Sequence, residues 1–155
     1  MYKELVISII IVVSIFVLDY ITQKYTDNVI NEAIQDLNTI KLALKERKEE
    51  EKGLNEEENE TEEINEGEEE FEGLDEDEKI LKLASDNYEK WLKYHKRLAF
   101  YIEHNELEKV ETNYVTGKSF IENAKYEDAM SEVEKTIFVL QHINDKYSVN
   151  LENIF

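Results

Sequence analysis

Apolar positions along this chain fall into blocks with different spacing. From Leu5 to Leu18 every residue is apolar except Ser8 and Ser14. Ile30, Ala33, Leu37, Ile40 and Leu44 then step by 3, 4, 3 and 4, with Ile34 widening the stripe, which is an a/d seam of two heptads. Between Glu49 and Glu78 the periodicity lapses into acidic and polar residues. It returns with Leu81, Ala84, Tyr88, Trp91, His95, Leu98 and Ile102, widened by Leu92 and Ala99, and predicts one long helix. A second stripe follows at Leu107, Val110, Tyr114, Gly117 and Ile121, and a third at Tyr126, Met130, Val133, Ile137, Leu140 and Asn144. Asn105 is placed to cap the middle helix, with Glu108 at its third position. Short connections near His104 and Asn123 make successive helices antiparallel neighbours. The pattern predicts an all-α chain: an N-terminal transmembrane helix plus an antiparallel three- or four-helix bundle.

The organisation follows in four parts. Residues 1–22 read as a transmembrane anchor, 23–48 as an amphipathic helix continuing it, 49–78 as an acidic disordered spacer, and 79–155 as the helical bundle domain. Leu5–Leu18 alone spans about 21 Å of helix, short of the roughly 20 residues that cross a 30 Å hydrocarbon layer. Adding Tyr2, Tyr20 and Ile21 restores the length and puts tyrosines at both interfaces. A cleaved secretory signal is the competing reading, but Asp19-Tyr20-Ile21-Thr22-Gln23 offers no small-residue cleavage site. The expected arrangement is a single-pass signal anchor in the cell membrane, held in the bilayer through Met1–Thr22. The first flank carries the α-amino group and Lys3 against Glu4, and the second carries Lys24 against Asp19 and Asp27; by the positive-inside rule this balance directs the tail to the extracytoplasmic side.

Composition sharpens this picture. The absence of proline and the presence of only four glycines favour long helices. The formal charge is −19, yet Glu49–Glu78 holds eighteen acids and one base, Lys52, so −17 of it lies there. Such a segment repels nucleic acid, whose binding depends on phosphate neutralisation, and cannot bury enough surface to offset its ordering entropy. Asp75-Glu76-Asp77-Glu78 lacks the alternating ligands and central glycine of a calcium loop, so any cation binding there is diffuse. Without cysteine there is no disulfide, thiolate zinc site or cysteine nucleophile.

Few residues carry candidate chemistry. His95 lies on the apolar stripe and reads as a packed imidazole. His104, Glu106 and His142 could form a two-histidine, one-carboxylate metal set, although nothing in their spacing resembles H-E-x-x-H. Lys90, Lys93 and Arg97 form a basic face interleaved with Tyr94 and Tyr101, suited to solvent, to the acidic spacer or to anionic lipid. The seam at Ile30, Leu37 and Leu44 needs a covering surface, supplied by the chain's own C-terminal domain, a second copy or another protein. Ser119, Ser131 and Ser148 lack nucleophile contexts. No enzymatic activity, cofactor or small-molecule substrate is expected.

Trp91, His104-Asn105-Glu106-Leu107, the helix containing Ala129, Gln141-His142-Ile143 and the ending Leu151-Glu152-Asn153-Ile154-Phe155 resemble the domain-of-unknown-function family numbered 4363. These are small bacterial proteins with an N-terminal membrane segment and a helical tail, and the long acidic insert departs from their compact pattern. The family carries no assigned activity, and its distribution among spore-forming and related Gram-positive bacteria implies an envelope or sporulation setting. The function expected is a membrane-anchored helical interaction protein binding a protein partner or a second copy. The alternative is a metal-dependent enzyme or sensor built on His104, Glu106 and His142.

Overall fold

The computed structural model describes residues 2–53 and 75–147. Helix α1 runs from Tyr2 to Gly53, about 78 Å at 1.5 Å per residue, because no glycine or proline interrupts it before Gly53. Helix α2 spans Glu76–Leu98, α3 spans His104–Glu122 and α4 spans Tyr126–Tyr147. α1 packs on α2 and α4, and α3 packs on the same two helices, giving a four-helix square. Residues 25–48 of α1 therefore form the fourth helix of the bundle.

Cross-helix bonds fix the register. Arg47 Nε donates to Asp77 Oδ1 at 2.7 Å, Lys90 Nζ to Asp36 Oδ2 at 2.7 Å, and Tyr94 Oη to Glu32 Oε2 at 2.7 Å. Thr26 Oγ1 and Tyr101 Oη are 3.0 Å apart. As α1 is followed backwards from Arg47 to Thr26, its partners on α2 advance from Asp77 to Tyr101, so the two helices are antiparallel. Lys41 pairs with Glu134 and Lys48 with Glu127, which makes α4 antiparallel to α1 as well. The connection from α2 to α3 and the end of α4 thus lie at the same end of the bundle as the apolar segment.

Ile30, Ala33, Leu37, Ile40 and Leu44 are all buried, as are Leu107, Val110, Tyr114 and Ile121 and Gly117. α4 departs from the expected face. Ala129, Thr136 and Ile143 are buried, whereas Met130 and Ile137 are only partly covered. A Cβ on Gly117 would meet Glu132 Cβ at 3.3 Å, so α3 and α4 approach closely there. That closeness turns the small side chain of Ala129 inward in place of Met130.

Helix ends also differ from expectation, and α2 stops at Leu98 instead of running through Ile102. α3 begins at His104, and Asn105 lies inside the helix rather than capping it; no side chain caps this end. The Glu103 N–H donates instead to Tyr147 Oη at 3.0 Å, so α4 fixes the start of α3. The acidic segment expected to be disordered over 49–78 is helical at both ends. Glu49–Gly53 completes α1, and Asp75 caps α2 by accepting from the Glu78 N–H at 2.8 Å. Glu76, Asp77 and Glu78 occupy the first turn, where the helix dipole favours acids. The remainder of that segment, 54–74, lies outside the described residues, as do Leu151–Phe155.

Candidate functional site

The first half of α1 presents large apolar side chains from Leu5 to Ile21 that are 50–70% exposed. They surround the helix instead of lining one face, and none is covered by the bundle. An amphipathic core helix would show a stripe; a helix apolar all round demands an apolar surrounding. Leu5–Ile21 spans about 25 Å, with Tyr2 and Tyr20 as exposed flanks. Ser14 Oγ donates to Ile10 O at 2.8 Å, so this hydroxyl is satisfied within the helix. This segment of the chain is long and apolar enough to cross a membrane.

The expected partner seam is already occupied. Ile30 and Leu44 are fully buried and Leu37 nearly so, inside a core shared with Trp91, Leu98, Leu107, Leu140 and Ile143. These three residues are core and offer no surface to another molecule. The chain's own C-terminal helices cover them, because all of their apolar stripes converge on the same axis.

The basic face divides in two. Lys90 bridges Glu32 and Asp36 and is a strut between helices. Burial works against its charge, but the hydrogen bonds to Asp36 and Glu32 prevail and raise its pKa. The same contacts, from Lys90 first and Tyr94 next, hold the Glu32 carboxyl below its ordinary range. Burial and the bond to Glu32 push the Tyr94 hydroxyl up to about 12. Lys93 and Arg97 remain exposed, with the Arg97 guanidinium 5.8 Å from the centre of the Tyr25 ring.

The histidines separate as well. His142 Nε2 lies 3.9 Å from Glu106 Oε1, but His104 turns toward His95, ring centroids 6.1 Å apart. His104 and Glu106 are two residues apart on α3 and so diverge by about 200° around it. The proposed triad does not assemble, and no group of three or more such ligands able to hold a metal occurs among the described residues. Glu106 is buried and accepts from Lys146 Nζ at 2.9 Å, which makes it a clasp between α3 and α4. His95 sits at the margin of the core. It stacks on Trp91 with centroids 6.2 Å apart, and its Nδ1 lies 3.1 Å from Glu111 Oε2. Trp91 itself is 1% exposed and stacks on Tyr114 at 6.0 Å.

Two exposed aromatics were not singled out from the sequence. Phe100, in the turn after α2, is 88% exposed, and Phe138, on the outside of α4, is 71% exposed. Both lie off the apolar stripes of their segments, and that mismatch is the signal that could have marked them. Phe138 borders an open groove of about 480 Å³ with Lys109, Asn113, Ser131 and Lys135.

No curated protein and no solved structure matches the chain. The family model described as domain of unknown function (DUF4363) matches residues 78–154, a span that takes in α2, α3 and α4 and omits α1. Over those residues the match bears out the resemblance to the DUF4363 family read from the sequence.

Proposed function

We propose that this chain is a single-pass membrane protein acting as an interaction module, with no enzymatic activity of its own. One observation carries the reading. A single helix passes without a break from an all-round apolar surface at Leu5–Ile21 into the buried seam at Val29–Leu44. An anchor built this way is a rigid extension of the domain, so the bundle stands directly on the bilayer and its orientation follows that of the anchor. Lys3 before the apolar segment, with Lys24 offset by Asp19 and Asp27 after it, supports an extracytoplasmic bundle. The surface offered to a protein partner or a second copy is the groove between α3 and α4 that exposed Phe138 borders. A setting in the envelope or in sporulation is supported by the family resemblance alone.

Protease added to intact cells producing the chain should remove the bundle. A protected bundle would reverse the topology, and a mature chain starting near Asp19 would replace the anchor with a cleaved signal. A photo-crosslinking residue at Phe138 should trap a protein, while the same residue at buried Leu37 should not. No adduct at Phe138, at either low or high expression, would remove the partner surface.

A further inference from the structure

We propose that the anchor end of the bundle is a lipid-contact surface, with Phe100 seated in the headgroup layer and Lys96 and Arg97 holding anionic headgroups. The proposal rests on the membrane-anchor reading and specifies what the bundle does beside the bilayer.

The register between α1 and α2 sets the height of this surface. Tyr101 is bonded to Thr26, and Thr26 is five residues beyond Ile21, about 7.5 Å along the helix. Headgroup layers add roughly 5–7 Å on each side of the hydrocarbon core. With Ile21 at the hydrocarbon boundary, the turn carrying Phe100 lies at the outer edge of the headgroups, within reach of an aromatic side chain. Tyrosine and tryptophan rings favour this layer, and Tyr20 and Tyr25 on α1 lie near its inner and outer limits.

The turn is fixed and leaves Phe100 nowhere else to go. Leu98 and Ile102 on either side are buried. The Tyr101 and Ile102 N–H groups both donate to Leu98 O, at 3.0 and 2.9 Å. Phe100 is thereby held outward at 88% exposure. A lone exposed phenylalanine would be unremarkable; one clamped at headgroup height beside a basic turn has an apolar layer in front of it.

The charges agree with this placement. Lys24, Lys93, Lys96 and Arg97 make no ion pair with a carboxylate among the described residues, whereas Arg47, Lys90 and Lys146 do. Of the acids at this end, Glu103 is taken up by Lys146, and Asp19 accepts from Gln23 Nε2. Asp27 lies on α1. The last turn of α2 is left basic on its outer side. Bases there also suit the helix dipole, but that role needs no lipid, and lipid dependence separates the two.

The chain lacks cysteine, so single nitroxide labels can be placed at will on the full-length protein in vesicles. Labels at Ala99→Cys, Ser131→Cys and Ile10→Cys report the turn, an exposed outer face and the apolar segment. In phosphatidylcholine vesicles containing about a third phosphatidylglycerol, collisions of the Ala99 label with a water-soluble nickel chelate should fall at least about twofold below those at Ser131. The shielding should diminish in pure phosphatidylcholine, in high salt, and on Lys96→Glu with Arg97→Glu or on Phe100→Ser. An Ala99 label as open to the chelate as Ser131 overturns the proposal. Shielding indifferent to lipid charge overturns it too, and that comparison requires no folding variant. An Ile10 label that is itself open to water would mean instead that the anchor reading has failed.

Discussion

Removing α1 from the bundle tests the claim that this helix is part of the folded domain and not a tether to it. Val29, Ile30, Leu37, Ile40 and Leu44 are 0–4% exposed in the intact fold. Burying a side chain of this size contributes about 1.5–3 kcal/mol, so the five together supply about 7–15 kcal/mol, an upper estimate because unfolded chains are already partly collapsed. Total domain stability is about 5–15 kcal/mol, so the loss is as large as the whole. Deleting α1 also bares its neighbours in the core and leaves Lys90 without Glu32 and Asp36. A fragment of residues 78–155, the span that corresponds to the family match, should therefore lack a cooperative melt and a structured near-ultraviolet dichroism signal. Residues 23–155, which keep the seam and omit the apolar segment, should show both. Adding a peptide of residues 23–50 to the shorter fragment should restore part of the signal. A sharp melt of 78–155 alone, with blue-shifted Trp91 emission, would refute the argument and make α1 an accessory.

Three further outcomes follow from the same packing and ion pairs. Trp91→Ala in residues 23–155 should cost about 3–5 kcal/mol by urea denaturation. Trp91→Phe should cost about 1 kcal/mol, from the smaller void alone, because Trp91 Nε1 is buried without an acceptor and no hydrogen bond is lost. The Arg47 hydrogen bond, aided by Tyr126, holds the Asp77 carboxyl below its ordinary range. Its stabilising contribution is thus present above the unfolded pKa of about 3.9 and disappears as pH falls through the lower folded value. Asp77→Asn should accordingly lower the melting temperature at pH 7, and the gap to the parent chain should close below about pH 4; a gap constant with pH would assign the effect to something other than this charge.

Helix content and stripe positions were legible in the sequence wherever one apolar row stands clear of polar neighbours. The α3 row Leu107–Ile121 and the α1 row Ile30–Leu44 are of this kind, and both are buried as read. α4 carries two adjacent rows, Ala129-Thr136-Ile143 and Met130-Ile137-Asn144, that a 3.6-residue period cannot separate. The close approach at Gly117 chose between them. The start of α3 was misread because Asn105 followed by Glu108 is a good local capping pattern, while the bond that sets the start comes from Tyr147, 44 residues away. The histidine triad failed on angle: His104 and Glu106 read as a helix junction could converge, but α3 begins at His104, and two positions apart within one helix they point to opposite sides.

The sequence by itself determined that the chain is helical, that one segment is long and apolar enough to span a membrane, and which faces require covering. These are local properties, set by composition and period within a few turns. Only the tertiary structure decided what does the covering. It placed the seam of α1 against α2 and α4, turned Lys90 and Glu106 into clasps, and brought the turn at Phe100 level with Thr26. A stripe specifies that apolar area must leave water, which any apolar surface satisfies; the choice of surface belongs to side-chain shape and register between helices distant in the chain.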